Sequence, residues 1–313
     1  MSLVSIESAM AAPGPGDWDF SDYPYGLEPL TLPNPGVAVS IAPGSVYGSA
    51  GDVRRLIAQG RSGFPATKPA SADDLERLFW FRWIIGHHIS FVIWRLLADA
   101  LSQAPEDEEG RKALAGTVAT YVRAYCGMLL YTGSCTPSIY NATIRPSMYR
   151  LHSTFSGTWA LDYPAVRSLF RGRKAPAVLG AQTGEVMREV GMSNQIHLGV
   201  SSKLVERGRS LLQQSIDAPD THQPRRWGTV FDCYFLTVRA PVPPEQVLTQ
   251  LMRRLKATAI DLATNGLYPE AGGDLGRLPE ELTRPAVVEC GRELTGILFD
   301  VAERAAALPG EGR

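Results

Sequence analysis

From Phe79 to Leu97 the chain is apolar on almost every side of a helix, yet it carries two adjacent histidines, His87 and His88, and two arginines, Arg82 and Arg95. At helical spacing Trp80, Trp83, His87, Phe91 and Trp94 form one stripe, and Phe81, Ile84, Ile85, His88, Val92 and Arg95 form its neighbour. A helix apolar nearly all round is buried on several sides. The chain therefore has to build other helices around this one, and the histidines point to a cofactor or substrate held against a helical core. The stretch approaches the length of a membrane span, but its histidines and arginines are costly in lipid, so no membrane is expected.

With 313 residues, 44% of them hydrophobic, the chain can bury one large core. An arm over residues 1–50 and a single helical domain over 51–313 are expected. The 31 basic and 32 acidic residues leave a net charge of -1, which gives no electrostatic footprint for nucleic acid or an anionic membrane surface. Cys126, Cys135, Cys233 and Cys290 show neither CxxC pairs nor finger spacing, so no zinc site or disulfide framework is indicated. That usage, with an N-terminus lacking the basic start and apolar run of a secretory signal, fits a reduced, cytoplasmic setting.

Residues 1–50 are rich in Pro, Gly and aromatic residues, among them Trp18, Phe20, Tyr23 and Tyr25, which suppresses regular structure and predicts an extended arm wrapped over the body or a neighbouring subunit. Ser71 to Glu76 carries capping groups for a long helix from about residue 72 to Ser102. An acidic linker and a second helix, Lys112 to about Tyr131, follow. From Thr132 to Asp162 the helical period weakens, and Arg145 before Pro146 is biased towards extended geometry. Such a stretch either carries binding groups or simply crosses the surface. A third long helix from about Ser193 places His197, Val200, Ser201, Leu204, Val205, Gly208, Leu211 and Leu212 on one face, with Gly199 and Gly208 suggesting close approach of a backbone or a flat ligand. Thr229 to Arg239 reads as a strand, Glu245 to about Asn265 as a helix, and Pro279 to Leu308 as a last helix.

The chain has five histidines, His87, His88, His152, His197 and His222, and none sits in an HExxH, deaminase or di-iron motif. GxSxG, P-loop and GxGxxG patterns are absent too. What remains is histidine on two apolar helices distant in sequence. That arrangement can set one imidazole on each face of a planar macrocycle, one to ligate iron and one for acid/base work. A buried helical histidine can equally be a core residue bonded to a carbonyl.

Four stretches, Trp83 to His88, Arg145 to His152, Phe155 to Tyr163 and Asn194 to Gly199, resemble the haem-dependent tyrosine hydroxylases of bacterial secondary metabolism, helical relatives of tryptophan 2,3-dioxygenase. The resemblance implies a mainly α fold, a helical bundle around haem with minor β structure. It implies His197 as axial iron ligand, with Gly199 and Ser201 beside the cofactor. It implies a distal acid/base histidine on the first long helix: His88, with His87 as the fallback, since periodicity does not separate them. A relative carries a haem-tethering cysteine four residues after its axial histidine; Ser201 stands there in this chain, so haem b is expected to be held non-covalently. The implied reaction is 3-hydroxylation of L-tyrosine to L-DOPA with hydrogen peroxide. Arg145 or Arg150 is the candidate for the substrate carboxylate, because a guanidinium pairs with it bidentately, and Asn194 is a further substrate-side candidate. A homo-oligomer, dimer or larger, is expected. A haem dioxygenase acting on an indole amino acid and a non-catalytic haem sensor are the alternatives.

Overall fold

The computed structural model describes residues 26–41, 50–64, 68–172, 174–205, 224–269 and 278–306. The fold is mainly α with one minimal sheet, as expected. Its spine is α2 (Leu75–Leu101), entered through a 3-10 turn at Ala72–Asp74 in which the Asp74 carboxylate accepts from both the main-chain N–H and the hydroxyl of Ser71. Next comes α3 (Glu108–Thr132), which starts earlier than its apolar period suggested. Asp107 caps it by accepting from Gly110 N at 2.7 Å, and Glu108 and Glu109 complement the dipole of its first turn, so residues 103–107 are the connection and the end of the acidic run is already helix.

Helix α2 packs along α3, and α3 along the helix Gly184–Leu204, which is labelled α5 below because a short helix, α4 (Arg145–Leu151), precedes it. Behind them α1 (Ala50–Ser62) and the long helix Pro244–Asn265 (α7) meet the C-terminal segment. That segment is not one helix but Glu280–Thr283, Pro285–Arg292 (α8) and Leu294–Ala305 (α9), because Pro285 opens a new first turn and Glu293 breaks the regular dihedrals. The windows of α2 and α3 apolar enough to cross a membrane are 78% and 61% buried inside the protein, as core helices are.

Further sequence expectations change. Between Pro137 and Leu151 the chain is helical: one turn at Pro137–Ile139, a π-helical turn at Tyr140–Ile144, then α4. Arg145 is helical rather than extended, since Pro146 falls in the first turn, where its missing N–H costs nothing. The strand expected over 229–239 is mostly α6 (Pro224–Tyr234), and only Thr237–Arg239 (β2) is extended. Helical spacing puts Trp227, Phe231 and Tyr234 on one side, where they join Phe155 and Trp159, with Phe155 and Phe231 stacked at 5.4 Å; that packing outweighs β-propensity. Helix α5 starts near Gly184, and Gly208, Leu211, Leu212 and His222 lie outside the described residues.

β1 (Leu30–Leu32) pairs in parallel with β2, Leu30 opposite Thr237. Residues 26–41 form a strap over the helices, burying Leu30, Leu32, Val39 and Ile41. The arm residues 1–25, including Trp18, Phe20, Tyr23 and Tyr25, lie outside the described residues. Arg254 donates to the carbonyls of Glu28 and Pro29, and Arg95 to those of Pro33, Asn34 and Val37. Asp99 accepts from the N–H groups of Val39 and Ser40.

Fully buried Arg82 holds α2 to α7 through two bonds to Asp261, at 2.8 and 3.0 Å. Its remaining donors reach Ser134 and the carbonyls of Gly266 and Leu267, in the turn where Gly266 adopts φ +66 to end α7. Tyr131 of α3 donates to the same Asp261 at 2.6 Å. Asp261→Ala strands a guanidinium in the core and is expected to cost about 3–5 kcal/mol in urea unfolding; a loss under about 1 kcal/mol would mean the core readily rehydrates Arg82.

Candidate active site

A cavity of about 540 Å³ opens between α2, α3 and α5 under a roof from residues 148–171. That volume suits a cofactor with a small substrate. The wall from α2 is Trp83, His87, Ser90 and Trp94, one face of the helix at intervals of three and four residues. The wall from α5 includes Ser193, Asn194, His197, Val200 and Ser201. Phe155, Phe231 and Phe235 add aromatic surface, and Arg171, just after the short helix Arg167–Phe170, adds a charge.

His87 and His197 thus open on one cavity from different helices. The Nδ1 of His87 lies 2.6 Å from the carbonyl oxygen of Trp83, one turn earlier. A carbonyl only accepts, so Nδ1 carries the proton and Nε2 keeps its lone pair. The ring stacks on Phe235 at 4.2 Å and tilts against Trp83 at 4.3 Å. Burial drives its pKa down to about 4, with the Trp83 hydrogen bond opposing weakly, so the imidazole is neutral at pH 7.

His197 has no hydrogen-bond partner among the described residues and is open to the cavity. The ring nevertheless lies deep among protein atoms; that burial, followed by the nearby Arg171 charge, holds its pKa below the ordinary 6.5. A neutral imidazole with uncommitted nitrogens is what iron ligation requires. Ser201 follows one turn later on the same wall, with no thiol to form a thioether. The donor set fits a histidine-ligated haem held without a covalent bond.

Other expected positions fall differently. His88 does not line the cavity: it is fully buried on the other side of α2, against Arg254 and Phe235. One residue along a helix is a turn of 100°, so neighbours cannot share a face. Gly199 is also turned away, and a Cβ there would run into Leu282 and Glu281; its role is close packing of α5, not cofactor contact. Neither Arg145 nor Arg150 lines the cavity: Arg145 lies beside Tyr140, and Arg150 is exposed on α4. Asn194 does line it, its Nδ2 held by the Val190 carbonyl at 3.0 Å. His152 is spent locally, with the N–H of Thr154 donating to its Nδ1.

Arg171 is the cationic side chain of the cavity lining, and the sequence reading passed over it. Its closeness to Tyr163, Tyr125 and His197, on each of which its charge acts, places it at the end of the cavity walled by Trp94, Tyr125 and Phe170. The roof is pinned from outside by Asp162, which accepts from Arg95 at 2.9 Å and Arg239 at 2.8 Å.

Residues 49–185 match the model of the family described as SfmD 3-methyl-L-tyrosine peroxygenase. No curated protein matches the chain. The matched stretch holds α2, α3, the roof and Arg171, and it ends before His197. It supports the tyrosine-modifying side of the resemblance drawn from the sequence and does not bear on the kinship with tryptophan 2,3-dioxygenase.

His87 also makes stability depend on pH. Its folded pKa of about 4 lies below the ordinary 6.5, so the unfolded chain binds more protons in between, and stability falls as pH drops through that window. For His87 alone the loss approaches about 3 kcal/mol at pH 4. His87→Phe in the cofactor-free protein should flatten the decline in denaturation midpoint between pH 6.5 and 4; an unaltered slope would place the proton uptake elsewhere.

Proposed function

We propose that this protein is a haem-dependent peroxygenase that hydroxylates L-tyrosine beside its phenol hydroxyl, giving L-DOPA and water from L-tyrosine and hydrogen peroxide. The observation that carries the reading is the pairing, on one cavity, of an uncommitted His197 with a His87 whose Nδ1 is tied to the Trp83 carbonyl and whose Nε2 lone pair is left free. The match of residues 49–185 to a peroxygenase family named for a tyrosine derivative supports both the oxidant and the substrate class.

His197 would hold haem b, which supplies the oxidising chemistry when bound. His87 Nε2 is the base: it accepts a proton from peroxide or from the substrate hydroxyl and returns it, since burial favours the neutral ring. Trp83, Phe155 and Phe235 give apolar walls for the phenol ring and keep bulk water away. At the far end Arg171 pairs with the amino-acid carboxylate. This takes the place of Arg145 and Arg150, which lie off the cavity.

Haem-reconstituted protein with peroxide should convert L-tyrosine to a product one oxygen heavier, with the label of ¹⁸O-peroxide in it. Turnover of L-tryptophan with O2 alone, and none of L-tyrosine with peroxide, would replace the reading with an indole dioxygenase; a haem spectrum unmoved by any aromatic amino acid would favour a sensor. His197→Ala should abolish the Soret band, whereas His87→Ala should keep it and lose roughly 100-fold or more in kcat.

Arg171→Met should weaken L-tyrosine binding by about one to two decades. Tyramine, which has no carboxylate, should bind wild type and variant alike. An equal loss for both ligands would make Arg171 a support for the roof.

A further inference from the structure

His88 is buried completely and takes no part in the cavity lining, yet both its ring nitrogens are engaged. Arg254 Nε donates to its Nδ1 at 3.2 Å. A guanidinium has no lone pair to offer, so Nδ1 is the acceptor and the proton resides on Nε2. That proton is donated to the main-chain carbonyl of Phe235. Arg254 is itself fixed, donating to the carbonyls of Gln250, Glu28 and Pro29.

Phe235 is where the chain leaves α6, and the next residue, Leu236, has φ +49. A branched side chain in the left-handed region is disfavoured by roughly 1–2 kcal/mol, so this turn needs holding from outside. The carbonyl that His88 grips belongs to the residue whose ring stacks on His87 at 4.2 Å and 22°. Two neighbouring histidines on different faces of α2 are thereby joined through one phenylalanine, His88 by its main chain and His87 by its ring.

We propose that His88 is a positioning residue for His87: by donating to the Phe235 carbonyl it fixes the turn that presses the Phe235 ring against the His87 imidazole, and so holds His87 Nε2 aimed into the cavity. The catalytic consequence rests on His87 acting as the base in the function proposed above; the structural linkage does not. Arg254 imposes the tautomer His88 needs. Trp83 O and the Phe235 ring then hold His87 at two points, leaving one orientation.

The test compares His88→Gln, whose amide N–H can still reach the Phe235 carbonyl, with His88→Leu, which cannot donate. Nitrogen-15 imidazole spectra of the cofactor-free full chain report the His87 tautomer directly. Wild type and His88→Gln should show His87 as a single Nδ1–H species, and His88→Leu should show mixed or exchange-broadened tautomers. In haem-reconstituted protein, His88→Leu should keep the Soret band and KM while kcat falls at least about 10-fold, with His88→Gln recovering most of it. Phe235→Leu, which keeps the carbonyl but removes the ring, should loosen His87 likewise, and adding His88→Leu to it should cost little more in kcat. It also serves as the deciding variant if His88→Leu does not fold. An unchanged His87 spectrum in both His88→Leu and Phe235→Leu overturns the proposal. So does a His88→Gln variant as impaired as His88→Leu. Should wild type prove inactive on tyrosine, the function falls while the nitrogen-15 comparison still decides the linkage.

Discussion

Helix α2 is locked in rotation by the charged and polar groups it buries away from the cavity. Arg82 reaches Asp261, His88 reaches Arg254 and Phe235, and Arg95 reaches Asp162 and the strap. Each is satisfied only at one angle of the helix, and turning α2 would leave buried charges unpaired, at several kcal/mol apiece. The other face, Trp83, His87, Ser90 and Trp94, is thereby delivered to the cavity, where the Trp83 indole N–H donating to the Tyr234 hydroxyl and the His87 ring stacked on Phe235 complete its seating. The cavity face is set chiefly by what happens behind it.

A second economy lies in how protons are placed. Three histidines sit below their ordinary pKa because burial disfavours the charged ring. Fixed partners then sort them: a carbonyl acceptor leaves His87 a free Nε2 lone pair, a guanidinium donor gives His88 the opposite tautomer, and His197 has no partner among the described residues. One residue type serves three purposes because the neighbouring main chain differs.

Much of this was legible in the sequence. The spine helix with its histidine pair, and a further apolar helix carrying His197 and Ser201, follow from period and composition; the spine lies where expected, while the His197 helix starts well before Ser193, at Gly184. Spacing alone does not say which of two adjacent histidines faces inward, because both stripes of α2 are apolar; only the remote Arg254, Asp162 and Asp261 decide it. α6 was unreadable for a related reason: Thr229, Val230, Phe231 and Tyr234 suit a strand locally and a helix only once Phe155 and Trp159 are in place. Arg171 sits in a short basic run that looks like ordinary surface, and its approach to the His197 wall is a property of the roof's path.

The strap of residues 26–41 is gripped chiefly by its main chain: Arg95 and Arg254 take its carbonyls, and Asp99 takes its N–H groups. Every residue type offers the same carbonyl, so these contacts read the route of the segment and not its spelling. Apart from the apolar anchors Leu30, Leu32, Val39 and Ile41, the Glu28 carboxylate that pairs with Arg253 at 2.6 Å, and Gly36 at φ +89, the strap is free to exchange side chains while tracing the same line. The instructions for its course are written in α2 and α7, and a foreign segment of like length that keeps those anchors, the carboxylate and the glycine is predicted to settle into the same track.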